Sequence, residues 1–252
     1  KTNAAWHERF SRDEIQELLA VESWRGLVSI ATNWSVIAAA FAGVAAWPHP
    51  LSVVVALFVI GARQLGLAVL MHEASHRTLL RDKRWNDAVG NWLCAYPVWS
   101  DLHAYRPYHL QHHARTWTKD DPDMGLVLPF PITAASLRRK VWRDLSGQTG
   151  RKFVRGAWKR SMARWRAGDE QGRRAFVGFL ATNGALFALL AALGHPLLYL
   201  LWIGAWLSTN TLVTRIRSIA EHAMVPDPSD PQDLLKSLPP VVLACPHGRP
   251  TG

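Results

Sequence analysis

Residues 71–76 read MHEASH, and the meaning of these six letters decides what kind of chain this is. His72 and His76 are four positions apart, so on a helix both imidazoles leave the same face, one turn from each other. With Glu73 between them, His-Glu-x-x-His is the pattern of a zinc protease helix, whose glutamate is the general base. It is equally the opening of a larger iron site, in which these two imidazoles are the first of several ligands. The surrounding sequence has to separate the two.

Directly upstream, residues 51–71 are apolar after Ser52 and broken only by Arg63 and Gln64, and residues 26–47 contain no charge at all. A helix rising about 1.5 Å per residue crosses a bilayer core of about 30 Å in roughly 20 residues. Both stretches are long enough. Residues 175–193 and 197–213 form a second such pair. The turns at 48–50 and 194–196 are short, and Trp24, Trp47, Tyr199 and Trp202 near the ends suit an interfacial aromatic belt. The expected fold is an all-α membrane protein with about four transmembrane helices in two hairpins. Arg63 and Gln64, at mid-span, are expected to face the bundle interior, lining a substrate tunnel or bracing helices.

Charge orients the hairpins. The 252 residues carry a net charge of +10, yet neither outer turn has a Lys or Arg. Residues 77–174 hold 20 Lys and Arg against 9 Asp and Glu. The positive-inside rule therefore places both termini and 77–174 in the cytoplasm; the expected location is a bacterial inner membrane. Residues 138–174 are the most basic part, with Val154, Trp158, Met162 and Trp165 on one helical face among cations. That pattern fits a helix in the headgroup layer. No nucleic-acid motif accompanies the charge, so no nucleic-acid partner is expected. Cys94 and Cys245 make neither a disulfide framework nor a CxxC knuckle, and residues 1–22 lack the apolar core of a signal peptide. One domain is expected: a cytoplasmic segment 1–23, a hairpin 24–71, a cytoplasmic region 72–174, a hairpin 175–214 and a cytoplasmic segment 215–252.

Six of the eleven histidines sit where chemistry would use them. His72 and His76 close the second span. YHLQHH at 108–113 supplies His109, His112 and His113, again at helical spacing. His222 follows the fourth span in RSIAEHAM. All three groups reach the same membrane face. Imidazole suits iron, copper and zinc, and no cysteine accompanies these groups. Six histidines exceed the three or four ligands of a zinc site and are appropriate to two metals. His7, His49, His103, His195 and His247 are read as bystanders.

MHEASH, then YRPYHLQHHARTWTKDDPD, then RIRSIAEHAM, resemble the membrane-bound fatty acid desaturase and hydroxylase superfamily, over most of residues 55–230. The resemblance implies a four-span bundle whose helical cytoplasmic cap carries a diiron centre. It implies two iron ions, O2 as co-substrate, a lipid or fatty acyl substrate and a ferredoxin or cytochrome-type electron donor. Carried over by position, His72 and His76 form the first box, His109, His112 and His113 the second, and His222 the additional ligand. Asp120, Asp121 and Asp123 are candidate partners for histidine N–H groups.

Two departures stand out. Ser218 occupies the place where the family often has Asn, four residues before the additional histidine. The family's third box, HxxHH, has no counterpart after Pro231, where only His247 appears. Weak metal binding and no turnover are the expectation for the chain as written. Among competing readings, a hydroxylase or carotenoid ketolase uses the same scaffold. An intramembrane zinc protease would need a distant Asp ligand, for which DPDMG at 121–125 is a poor match, and would leave HLQHH without purpose.

Overall fold

The computed structural model describes residues 11–116, 118–127 and 132–221, and every regular element among them is helical. In chain order these are α1 (Arg12–Leu18), α2 (Ser23–Ala46), α3 (Pro50–Ser75), α4 (Lys83–Val89), α5 (Leu102–Arg115), α6 (Met124–Val127), α7 (Ala134–Leu145), α8 (Gln148–Arg166), α9 (Glu170–Ala192), α10 (Tyr199–Leu207) and α11 (Thr209–Glu221). Among the described residues, four segments are long and apolar enough to cross a membrane, and they contain α2, α3, α9 and the α10–α11 pair. The expected number of spans is present.

Local chemistry explains where the first hairpin turns. Pro50 cannot continue α2 but suits the first turn of α3. His49 caps α3 by accepting from the Leu51 N–H, and Ser52 returns a bond to the His49 backbone. His49, read as a bystander to the metal chemistry, is thus a helix cap, with its ring stacked on Trp47.

The bundle closes around Ile37, Phe41, Ile60, Leu67, Trp202 and Ala205. Polar groups brace it where water cannot. Gln64 is fully buried and donates to the Trp202 carbonyl at 2.9 Å, so it braces helices. Asn33 donates to the Arg63 carbonyl. Asn183 donates to the carbonyls of Tyr96, Pro97 and Phe179 and accepts from Tyr199 and Trp202. Where α3 meets α11, a Cβ on Gly61 would lie 2.2 Å from the Thr209 hydroxyl oxygen, so only glycine permits that approach.

Two features differ from the expected layout. The fourth span is interrupted: after the 3-10 turn Pro196–Leu198, α10 ends at Ser208, whose hydroxyl bonds back to the Gly204 carbonyl. The segment after α4 also does not stay apart from the bundle. A π-helical turn (Gly90–Ala95) packs against α3 and a 3-10 turn (Tyr96–Val98) against α9, and Val98 joins the core of Ile37 and Trp202. Tyr96 and Val98 are apolar enough to bury, and Asn183 receives the carbonyls that the turn leaves over.

The helix at 148–166 forms as expected, and its apolar face is partly used internally. Trp158 and Trp165 set their rings edge-on against Phe176 of α9, while both remain about half exposed.

Candidate metal centre

The first histidine pair sits where α3 stops. Arg77 takes a left-handed φ of 62°, and the Thr78 N–H returns to the Glu73 carbonyl, closing the helix. A helix end leaves carbonyls without intrahelical partners. Here they become the docking points for α5, which carries the second histidine group. Arg106 of α5 donates through Nε to the Ser75 carbonyl and through Nη2 to the Ala74 carbonyl, each at 3.0 Å. Its remaining capacity goes to Asp87 of α4, through Nη1 at 3.0 Å and through Nη2. Asn86, fully buried, adds a second side-chain donor to the Ala74 carbonyl. Asp101 caps the start of α5 by accepting from the His103 N–H, and Asn91 accepts from the Leu102 N–H. The register of α5 against the end of α3 is therefore set by hydrogen bonds at both of its first turns.

That register brings four rings together. The donor atoms of His72, His76, His109 and His113 all lie within 4.8 Å of one another. His109 Nε2 is 2.8 Å from His76 Nε2 and 2.9 Å from His113 Nε2. One imidazole nitrogen carries either a proton or a lone pair, so His109 cannot satisfy both neighbours by donating. A cation among them would take all the lone pairs at once. Two nitrogens bound about 2.1 Å from one ion at a right angle stand about 3.0 Å apart, close to the spacing seen. The donor set fits a metal ion.

The electrostatics agree. Burial first, and then the nearby rings of His72, His113, His76 and His112, pull the His109 pKa down to about 2. Burial followed by His112 and His72 lowers that of His113. Both rings are neutral at ordinary pH, the form that binds metal. His72 has its Nδ1 3.2 Å from Glu73 Oε1, and Thr78 donates to the other carboxylate oxygen. Glu73 thus engages the His72 ring through Nδ1 and leaves Nε2 as the atom that could ligate a metal.

His112 is not in the four-ring group. Its Nδ1 meets Asp121 Oδ1 at 2.7 Å and lies 3.5 Å from Asp123 Oδ2, while Tyr108 donates to Asp123. The Asp120 side chain is exposed, and its backbone carbonyl accepts from Gln111. His222 lies outside the described residues, as do the residues that follow it. Arg106, Asp87 and Asn86 escaped the reading of the sequence. A signal was present: Arg106 stands one turn before His109, on the helix that carries the second histidine group.

Comparison with known proteins agrees with this geometry. Residues 48–239 match the fatty acid desaturase family model, and the chain belongs to that family. Dihydrorhizobitoxine desaturase of Bradyrhizobium elkanii is 28% identical over 231 residues, which cover 85% of this chain and 64% of that protein. β-Carotene ketolase of Paracoccus sp. (strain PC1) is 35% identical over 81 residues, 31% of this chain and 32% of the ketolase. The chain thus spans less than two thirds of the length of either relative.

Proposed function

We propose that the protein is an O2-dependent oxidoreductase that desaturates a lipid acyl chain. The observation that carries this reading is the convergence of four imidazoles at the end of a membrane span, in a chain of the fatty acid desaturase family. Iron bound among these rings would supply the redox chemistry for removing two hydrogens from a saturated C–C unit while O2 is reduced to two waters by two further electrons and two protons. His72, His76, His109 and His113 would hold one ion, with Glu73 orienting the first ring. His112, with Asp121 holding its Nδ1, would offer Nε2 to a second iron, for which His222 is the further candidate from the sequence. Replacing Asp121 by Asn should weaken metal binding about 10–100-fold, read from iron retained after chelator dialysis.

The basic region 77–174 faces the cytoplasm and docks an acidic ferredoxin or a cytochrome-type donor. Thiol labelling in intact cells tests the sidedness, with Cys245→Ser removing one native thiol and Cys94 buried. A cysteine at His195 should react from outside and one at Lys152 should not. Reaction at both positions would overturn the topology and the donor surface with it.

Ketolation is the second reading, favoured by the similarity to β-carotene ketolase. A zinc protease is disfavoured because Glu73 is engaged by His72 and Thr78, leaving it poorly placed as a base. The functional test is product analysis in cells supplying lipid, reductase and ferredoxin, with an HxxHH-bearing segment provided after residue 231. Lipid lighter by two hydrogens and dependent on O2 is expected. Oxygenated lipid or carotenoid as the sole product would replace desaturation with the second reading.

A further inference from the structure

A cavity of about 340 Å³ opens between α7, α8, α10 and α11, and no histidine is among its lining residues. Small-molecule pockets run from about 300 to 1,000 Å³, so this one suits a head group or a short ligand. Its polar lining is unusual in sign. Lys140 is half-buried and has no acidic partner among the described residues. Arg215 also reaches the cavity, but its guanidinium is matched by Asp144, which is fully buried and takes two bonds from it. None of the lining residues is acidic. The local charge left over is that of the Lys140 ammonium.

Hydroxyls stand around it in the same state. Thr149, Thr214 and Ser218 line the cavity, and their side chains make no hydrogen bond to other described residues. Thr149 and Gly150 belong to the first turn of α8, whose N-cap, Gly147, offers no side-chain cap, so the helix end adds partial positive charge to that wall. Trp206, Phe153 and Ile219 supply an apolar surface beside these groups. A solvated groove between helices would not need an ammonium held half out of water without a counter-charge.

We infer that this cavity binds the oxyanion head of an amphiphile, a carboxylate or a phosphate, with Lys140 as counter-charge, the hydroxyls as donors and the aromatic wall against the adjoining carbons. The inference is independent of which metal the histidines hold.

Binding of three water-soluble probes to the purified full chain tests it by titration calorimetry: hexanoate, hexyl phosphate and the uncharged methyl hexanoate. At least one anion should bind, and the ester at least about tenfold more weakly, the scale of one charge-assisted hydrogen bond. Lys140→Met should lose the same factor while Lys140→Arg retains binding. The tighter of the two anions identifies the source, a free acid or a phospholipid-type head. Metal content of Lys140→Met should equal that of the parent, which separates this site from the histidine cluster. Thr214→Val, at an exposed position of the wall, gives a second reading should Lys140→Met misfold, with a loss of about threefold expected for a neutral hydrogen bond. Equal binding of ester and anions, unchanged affinity in the lysine or threonine variants, or no binding of either anion would overturn the assignment.

Discussion

Replacing His109 with alanine should cost the protein its metal at the four-ring site. His109 is the buried centre of that site, within 3 Å of both His76 and His113. Removing it takes away a ligand and leaves a gap between the other rings. Second-sphere losses alone weaken metal sites about 10–100-fold, so the loss of a central ligand is expected to exceed about 100-fold. Iron retained after dialysis against a weak chelator reads this directly. His103→Ala, on the same helix and exposed, should retain iron as the parent does. Equal retention by His109→Ala would show that the cluster is not where metal binds.

The second large effect is predicted at a residue that touches no metal. Arg106 donates to two end carbonyls of α3 and to Asp87, and the side chains of the ion pair are 14% and 22% exposed. Arg106→Met would leave a partly buried carboxylate and the Ser75 carbonyl without this donor. Breaking one side of a buried pair costs about 3 kcal/mol at the lower end of the usual range, the end that applies where some exposure remains. The thermal midpoint should fall, and metal should loosen with it, because α5 loses its register against His72 and His76. Removing the orphaned charge as well, in Arg106→Met with Asp87→Leu, should recover much of the stability but not the metal affinity. Full recovery of both would make the pair a packing feature with no part in positioning the rings.

How far the sequence could be read depended on whether the signal was local. The spans of α2, α3 and α9 were legible because an uncharged run of bilayer length has few alternatives. His72 and His76 were legible as a pair because helical spacing places them on one face, and the same held for His109 and His113. Arg106 was visible only as a cation before a histidine. Its partner Asp87 lies 19 residues away, and its carbonyl targets more than 30 residues away, distances at which spacing carries no information. The break at Ser208 has neither proline nor glycine to announce it. It arises from a hydroxyl competing for the Gly204 carbonyl and from the neighbouring contacts of Thr209 with α3. The insertion of Tyr96 and Val98 against α9 was likewise settled by a distant residue, Asn183, which supplies the donor those turns require. His112 looked equivalent to its neighbours by spacing. Asp121 and Asp123, brought back by the turn after α5, give it a different surrounding.

The claim on which the rest stands is that the imidazoles of His72, His76, His109 and His113 hold iron for oxidation chemistry. Metal analysis tests it most directly, on the chain carrying an HxxHH-bearing segment after residue 231, expressed with iron and zinc both supplied, purified in mild detergent, and compared with the same chain bearing His109→Ala. The account predicts iron in the parent protein and its loss in the variant. One zinc per chain with no iron, together with proteolytic activity abolished by Glu73→Gln, would contradict it.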